Sequence, residues 1–296
     1  MDENEWLAER FEEHRGHLRA VAYRMLGSLA EADDAVQDTW LRLSRSEADE
    51  VENLRAWLTT VVARVCLNML RSRGVRREEF FGVRLPDPVV IPDGEFQPEN
   101  EALLADSVGL ALLVVLDTLT PAERLAFVLH DMFQLPFDEI APMVGRTTAA
   151  ARQLASRARR RVKGAAIPIA DPDLARQRNV VDAFFSAARG GDFDALVALL
   201  DPDVVLRADW GTRRPAMAGV IRGAAAVARQ ARPIPGAVLR PALVNGAAGM
   251  VVIVGGRPFV VMGFTVGGGR IVEIDAIADP ERVGRIAAAV LAGKAV

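Results

Sequence analysis

The chain contains a single cysteine, Cys66, among its 296 residues, so no internal disulfide can form. That scarcity fits a reducing cytoplasm, and Cys66 itself is expected to be a small buried apolar side chain. No apolar run approaches the roughly 18 residues of a membrane span, since the segment GLALLVVLDTL is only about half as long. The acidic N-terminal segment lacks the apolar core of a signal peptide. We therefore expect a cytoplasmic protein that has no membrane anchor.

Histidine is scarce as well, because the chain has only three. His14, His17 and His130 lie in the first half of the chain, and a single cysteine beside them makes no cluster of the kind that binds zinc. We expect no metal site and no cofactor. The region after residue 174 contains no histidine at all, which removes the commonest acid–base side chain from it.

The formal net charge is only −3, but the charges are unevenly distributed. Residues 1–163 hold 21 Lys and Arg against 27 Asp and Glu, whereas residues 164–296 hold 15 against 12. The basic residues of the first part gather at 64–77 and 146–163. A protein that merely coats DNA would be basic throughout. The distribution therefore predicts a DNA-facing surface that is separate from an acidic surface for another partner.

Changes in composition divide the chain into segments. Apolar residues recur at helical spacing over 5–73 and again from about 101. Between them, FFGVRLPDPVVIPDGEFQPEN (80–100) has four prolines and two glycines, which predicts a linker and not a helix or a regular strand. Beyond a second break at AAIPIADPD, helical segments precede β-rich runs separated by Gly, Asn and Pro turns.

These segments predict a multidomain fold of two all-α domains followed by an α+β domain. The expected boundaries are a helical domain at 1–78, a linker at 79–100, a second helical domain at 101–164, a short linker at 165–173, and the α+β domain at 174–296.

The segment FDEIAPMVGRTTAAARQLASRARRRVKG (137–164) has the pattern of a helix-turn-helix. Gly145 stands where the turn needs a positive φ, and Thr147 or Thr148 is a plausible N-cap for the second helix. That helix carries Arg, Gln and Ser early, which can read base edges, and arginines late, which suit phosphates. A solvated basic face on an ordinary helical hairpin is the alternative interpretation.

The same segment resembles region 4 of bacterial extracytoplasmic-function sigma factors, in which an EIA…G…RAR framework carries the helix that reads the minus-thirty-five promoter element. The segment AYRMLGSLAEADDAVQDTWLRL is similar to their regions 2.1–2.2, and NLRAWLTTVVARVCLNMLRSRGVRR to regions 2.3–2.4. Both motifs occur in the family's order and are separated by a linker. Together they cover roughly residues 7–163.

The resemblance implies three surfaces in the helical domains. Contacts to the minus-thirty-five element are expected from Arg146, Thr148, Arg152, Gln153, Ser156, Arg157, Arg159, Arg160 and Lys163. The melted minus-ten strand should meet Asn53, Leu54, Arg55, Arg64, Asn68, Arg71, Arg73, Arg76 and Arg77. The clamp coiled coil of core RNA polymerase should meet Asp33, Asp34, Gln37, Asp38 and Leu41. From the residues alone, a solvated helix face or helix end explains each of the latter two clusters equally well.

Residues 174–296 resemble the SnoaL-like domain, a cone of helices around a curved sheet with a pocket, which one subgroup of these sigma factors carries. Three motifs of that subgroup occur here in altered form, and the resemblance implies interdomain regulation by Arg84, Leu85, Pro86, Asp87, Pro88, Asp209, Trp210, Gly211, Arg213, Asp279 and Pro280. Related folds include enzymes, and Asp209 is a candidate pocket acid, but without a clear acid–base pair we expect no enzyme.

The resulting hypothesis is a sigma factor that binds core RNA polymerase and promoter DNA and has a fused regulatory domain. A small-molecule ligand in the C-terminal domain is a further candidate partner. One alternative is a ligand-responsive helix-turn-helix regulator that does not engage core polymerase as a sigma factor. Another is a SnoaL-like enzyme with a DNA-binding appendage.

Overall fold

The computed structural model describes residues 3–45, 53–77, 83–94, 109–165, 167–211 and 218–292. The chain divides into two compact units. The helical unit comprises residues 1–79 and 112–166, and the sheet unit comprises residues 80–111 and 167–296. None of the helices within the described ranges is both long and apolar enough to cross a membrane.

The first half of the helical unit is formed by three helices, α1 (Glu3–Leu26), α2 (Leu29–Leu43) and α3 (Leu54–Arg77). Gly27 joins α1 to α2 with a φ of 69°, which glycine adopts without strain. The three helices pack around side chains such as Leu18, Val36 and Leu58, which are almost fully buried. Cys66 lies in the same core at 0% exposure, as predicted, and burial raises the pKa of its thiol.

The second half contains α4 (Leu110–Asp117), α5 (Pro121–Phe127), a π-helical turn (Val128–Met132), α6 (Phe137–Val144) and α7 (Thr148–Gly164). Thr120 and Glu123 form a capping box at the start of α5, where each side chain accepts the other's backbone N–H. Pro121 follows the N-cap at the first helical position, where its missing N–H costs nothing.

The sheet unit surrounds one seven-stranded sheet. Its elements in chain order are β1 (Val90–Pro92), α8 (Leu174–Gly190), α9 (Phe193–Leu199), β2 (Leu200–Asp209), β3 (Gly219–Arg222), α10 (Ala224–Ala228), β4 (Ala237–Val244), β5 (Ala247–Val254), β6 (Arg257–Gly267), β7 (Arg270–Ile277), α11 (Pro280–Ile286) and α12 (Ala288–Ala292). The strand order is β1-β4-β5-β6-β7-β2-β3, and every pair is antiparallel except β2 with β7. The predicted α+β architecture is confirmed.

Strand β1 was not expected, because the prolines and glycines of residues 79–100 predict a linker without strand character. The structure pairs Val90 with Val244 and Ile91 with Leu243, at the edge of the sheet. Pro92 ends the strand, and an edge position tolerates its missing N–H. Val90 and Ile91 are buried, so packing within the sheet unit stabilises the strand. The intrinsic strand propensity of three residues would not be enough by itself.

Candidate nucleic-acid interface and linker site

The helix-turn-helix in the second half of the helical unit is formed by α6 and α7. Gly145 ends α6 in the left-handed conformation, with φ 66° and ψ 41°. Thr147 caps α7, because its side-chain oxygen accepts the backbone N–H of Ala150 at 3.2 Å. Ala151, Ala155 and Ala158 are fully buried, so small side chains let α7 pack closely against its neighbours. Both the turn glycine and the capping threonine are therefore confirmed.

The outward face of α7 is polar and basic. The helix has no acidic residue, and most of the residues predicted to contact the minus-thirty-five element are exposed: Arg146, Arg152, Gln153, Ser156, Arg157, Arg160 and Lys163. Thr148 and Arg159 are half-buried. The guanidinium carbon of Arg152 lies 5.8 Å from the Phe137 ring centroid, which orients this side chain beside α6.

Three arginines of α7 form ion pairs with the preceding elements. Arg157 and Arg161 reach Glu123 at 3.0 and 3.5 Å, and Arg159 donates to Asp131 at 2.6 Å. Burial would raise the pKa of Glu123, but its hydrogen bonds with Thr120 and Arg157 lower it below its ordinary value. Glu123 therefore both caps α5 and holds α7, a second role that its place in the capping box does not indicate.

The predicted minus-ten surface lies along α3 and at its start. Asn53 caps the helix by accepting the N–H of Ala56 at 3.1 Å. Arg64, Asn68 and Arg71 are exposed at helical spacing, and within the described residues no hydrogen bond or ion pair is found for them. Such a stripe offers two cations and an amide to a phosphate backbone.

Three other residues of the predicted minus-ten surface lie outside this exposed stripe. Leu54 is half-buried. Arg55 is exposed and lies 3.3 Å from His17 Nδ1. Arg73 faces inward: it donates to Glu31 and, at 2.9 Å, to the Leu26 carbonyl, and thereby fastens α3 to the junction of α1 and α2. The side chains of Arg76 and Arg77 lie outside the described residues.

The predicted polymerase-binding face lies on α2. Asp34, Gln37 and Leu41 are exposed, and Leu41 retains 43% of its surface despite being apolar. Asp33 accepts two hydrogen bonds from Arg19, at 2.7 and 3.0 Å. Asp38 pairs with Arg42 at 3.0 Å. The face therefore combines carboxylates with an exposed leucine, a composition suited to a protein partner.

The two halves of the helical unit are packed directly together. Arg124 of α5 is 2% exposed; it donates twice to the Arg24 carbonyl at 3.2 Å and pairs with Asp117 at 3.1 Å. Phe133 meets His17 edge-on, with ring centroids 5.3 Å apart, and lies under the Arg24 guanidinium. Burial, and then the Arg55 charge, lower the pKa of His17 to about 4.

In the sheet unit, Arg282 of α11 binds the linker. Its guanidinium donates to Asp87 at 2.6 Å, to the Leu85 carbonyl at 2.5 Å, and to Asp209. The Leu85 N–H also donates to Asp209, at 2.8 Å. Burial alone would lower the pKa of Arg282, but the two carboxylates raise it above its ordinary value. Asp87 and Asp209 thus share the cation, which joins α11 to a segment 195 residues earlier in the chain.

Further contacts extend this attachment along the linker. Val89 exchanges hydrogen bonds with Asn245 at 2.6 and 2.8 Å, and Arg178 pairs with Asp93. Pro86 and Pro88 are buried, whereas Arg84 is exposed. We call residues 85–93 together with Arg282, Asp209 and Asn245 the linker clamp. Its linker residues include most of those that the sequence analysis singled out at 84–88.

Asp209, a candidate pocket acid and also a predicted regulatory residue, lies in the linker clamp and is not among the residues that line the apolar cavity. Its carboxylate is fully buried by its bonds to Leu85 and Arg282, and the next residue, Trp210, lines an apolar cavity instead. Successive side chains of a strand point to opposite faces, which separates the two. Gly211 has a φ of 66°, and a Cβ there would clash with Asp279, whose side chain accepts the Arg282 N–H. Pro280 begins α11, and Arg213 lies outside the described residues.

Comparison with known proteins covers both units. Residues 10–76 match the family Sigma-70 region 2, and residues 109–162 match Sigma-70, region 4. The chain is 44% identical over 220 residues to ECF RNA polymerase sigma factor SigJ of Mycobacterium tuberculosis, covering 74% of this chain and 70% of SigJ. It is 37% identical over 209 residues to probable ECF RNA polymerase sigma factor SigI of the same species, covering 69% and 70%. The crystal structure of SigJ superposes with a TM-score of 0.71 at 35% identity, over 93% of this chain and 97% of the other.

Proposed function

This chain belongs to the extracytoplasmic-function sigma factors of RNA polymerase, and we propose that its sheet unit regulates the sigma regions by holding the linker between them. As a sigma factor, the protein binds core RNA polymerase and directs initiation at specific promoters. The alternative of a regulator that does not engage polymerase is not favoured, because both sigma regions match. The proposal therefore concerns what the residues after 166 add.

The first support is the closed packing of the helical unit. Promoter elements named minus ten and minus thirty-five are about 25 base pairs apart, which is about 85 Å at ~3.4 Å per base pair. A compact unit of this size has a radius of gyration of only about 14 Å. With Arg124 of region 4 bonded to the Arg24 carbonyl of region 2, the two regions cannot reach both elements. Promoter binding therefore requires the two regions to separate.

The linker clamp supplies the second support. When regions 2 and 4 separate, the chain between them must extend, and that chain includes residues 85–93. These residues are strand-paired with β4 and bonded to Arg282, Asp209 and Asn245. Extension must therefore break a buried ion-pair network, which makes separation less favourable. We expect the sheet unit to act as an intramolecular inhibitor at high effective concentration.

The contact residues of the active protein form part of the same proposal. The exposed face of α7 contacts the minus-thirty-five element, and the stripe of Arg64, Asn68 and Arg71 follows the melted minus-ten strand. The face of Asp34, Gln37 and Leu41 binds core polymerase. A small molecule is the proposed ligand of the sheet unit. The exposure of these side chains supports the assignments to DNA and polymerase.

A reversible disulfide tests the clamp. Val90 and Val244 are Cα partners across β1 and β4. Antiparallel partners lie about 4.5–5.5 Å apart, which suits a disulfide. The single native cysteine, Cys66, is fully buried and is not expected to compete. Run-off transcription by core polymerase with the V90C/V244C variant should fall about tenfold or more on oxidation, and should recover on addition of dithiothreitol.

A second engineered disulfide, placed elsewhere in the sheet, provides the control. Val205 and Arg222 are partners across β2 and β3, away from the linker, so the V205C/R222C variant should transcribe equally in both redox states. Conversely, Asp87→Asn removes one charge from the clamp and should raise transcription. Core polymerase binding is measured separately by co-elution. Equal transcription by the oxidised and reduced V90C/V244C forms would refute the clamp mechanism.

A further inference from the structure

The sheet unit contains an apolar cavity of about 520 Å³ that the clamp does not use. Its walls come from Phe184 and Phe185 of α8, from the inward residues of the sheet, and from the segment between α10 and β4. This volume lies within the roughly 300–1,000 Å³ of pockets that hold small ligands. All of the residues that line the cavity belong to the sheet unit.

The cavity persists because small residues occupy sheet positions where larger ones would fill it. Ala208, Ala237 and Ala276 line the cavity on β2, β4 and β7. Bulky rings instead stand at its sides: Trp210 and Phe259 meet edge-on, with centroids 5.9 Å apart. Protein interiors are normally close-packed, and a core sequence serving stability alone would place leucine or valine at such positions. The alanines leave space among the larger apolar side chains of the lining, and this space suits an apolar group.

The charge at the cavity mouth has one sign. Arg189 and Arg232 line the cavity and are exposed, and beside them lies the exposed amide of Gln230. No Asp, Glu or His is among the described residues that line it. Within the described chain neither guanidinium forms an ion pair, and Arg232 donates only to the Arg229 carbonyl at 3.4 Å.

The acidic residues of the sheet lie on its other face. Glu273 and Asp275 alternate with Ile274 and Ala276, which line the cavity, and they pair with Arg207 at 2.8 and 3.1 Å. Because successive strand residues point to opposite faces, these carboxylates are directed away from the cavity. The mouth therefore favours an anion, and the described lining offers no acid–base pair to transform it.

We propose that this cavity binds an amphipathic monocarboxylate, whose apolar tail occupies the cavity and whose carboxylate pairs with Arg189 and Arg232. Guanidinium groups bind carboxylates through charge-assisted hydrogen bonds, and the apolar walls bind the tail by excluding water. The inference deepens the proposed ligand-binding role of the sheet unit. It does not depend on whether the linker clamp inhibits transcription.

The test compares three probes with the same ten-carbon tail, decanoate, 1-decanol and decyltrimethylammonium, by titration calorimetry on the full chain. The two ionic probes are kept below their micelle concentrations and decanol below its solubility limit. We expect saturable binding of one decanoate per chain, about tenfold or more tighter than decanol, because the alcohol oxygen can accept a hydrogen bond from a guanidinium but carries no negative charge to strengthen it. Decyltrimethylammonium should bind most weakly. Equal affinity for decanoate and decanol, tighter binding of the cation, or no saturable binding would overturn the proposal.

Two variants separate the head-group site from the tail site. Arg189→Gln combined with Arg232→Gln should reduce the preference for decanoate over decanol about tenfold, whereas Arg229→Gln, which is exposed but does not line the cavity, should leave it unchanged. Ala276→Leu fills the cavity and should weaken all three probes together, with thermal unfolding used to confirm folding. If the double variant keeps the full preference, the arginine assignment is wrong. Because binding is measured without polymerase, failure here leaves the clamp mechanism intact, and the reverse also holds.

Discussion

In the described part of each unit, a buried arginine joins segments distant in sequence, but Arg124 and Arg282 are paired differently. Arg124 of the helical unit donates to the Arg24 carbonyl and pairs with Asp117, which retains 19% exposure. Arg282 of the sheet unit binds two carboxylates, and one of them, Asp209, is only 1% exposed. A contact built on a neutral carbonyl can be broken at less cost than a buried ion-pair network. We therefore expect the contact between the two sigma regions to be easier to break than the attachment of the linker to the sheet.

The largest expected effect comes from Arg282→Met. Removing the cation leaves Asp209 buried without its partner, so the free energy of unfolding of the sheet unit should fall by about 3–5 kcal/mol. Urea denaturation followed by circular dichroism measures this loss. Arg285→Met, in the same helix but exposed, is the control and should change the stability by less than about 0.5 kcal/mol. A similar loss in both variants would contradict the role assigned to the clamp.

Arg124→Met should have a smaller effect on the helical unit. The variant loses the bonds to the Arg24 carbonyl, but Asp117 can be hydrated because it is partly exposed, so we expect a loss of about 1.5–3 kcal/mol. Urea denaturation monitored at α-helical wavelengths gives the value. A larger loss of unfolding free energy in this variant than in Arg282→Met would contradict the difference that we expect between the two arginines.

On α7, exposed and paired arginines should differ in their effects on promoter binding. Arg160 is exposed without an ion pair in the described chain, so Arg160→Gln should reduce the salt dependence of promoter binding by about one unit of slope. Arg157→Gln should have less effect, because Arg157 already pairs with Glu123. Fluorescence anisotropy of holoenzyme on a promoter duplex, at several salt concentrations, measures both slopes. Equal slopes would show that the Glu123 pair opens on DNA.

The smallest expected effect is an opposite pH dependence of the two units. Burial, reinforced by the charges of Arg55, His14 and Arg24, lowers the pKa of His17 to about 4. The unfolded state therefore binds the proton first, and the helical unit loses stability as pH falls from about 6.5 to 4. Burial, opposed by Arg207 and reinforced by Glu273, raises the pKa of Asp275 to about 6. The folded sheet unit therefore holds its proton first and gains stability as pH falls from about 6 to 4.

Urea unfolding at pH 7 and pH 5 distinguishes these contributions. His17→Gln should flatten the pH dependence of the helical unit, and Asp275→Asn should flatten that of the sheet unit. Each variant serves as the control for the other, because the two residues lie in different units. A change of the same sign in both variants would contradict the assignment.

Much of the local structure could be predicted from the sequence. The capping box at Thr120 and Glu123, the turn glycine at 145 and the N-cap at Thr147 each depend on neighbours within three or four residues, and each is confirmed. The family could also be predicted, because its motifs are contiguous. The assignments to DNA and polymerase stay predictions that the exposure of the residues supports.

Other features could not be predicted, because they depend on residues far apart in the chain. Nothing near Asp87 indicates that its partner is Arg282, and three residues of β1 carry too little strand propensity to reveal their pairing with β4. Nor could the sequence show that Asp209 belongs to the linker clamp and not to the lining of the apolar cavity. Which face of β2 its carboxylate occupies follows from the register of the sheet.

By itself, the sequence determined the order of the domains, the helix-turn-helix with its basic face, and the family to which the chain belongs. These features depend on residue spacing, helix capping and turn conformation within short stretches of chain, and not on contacts with distant segments. Only the tertiary structure decided that the linker is a strand of the sheet unit, that Arg124 closes the two sigma regions together, and that an apolar cavity with an arginine rim lies behind Trp210. Each of these depends on burial and ion pairing between distant segments, and such contacts exist only once the chain has folded.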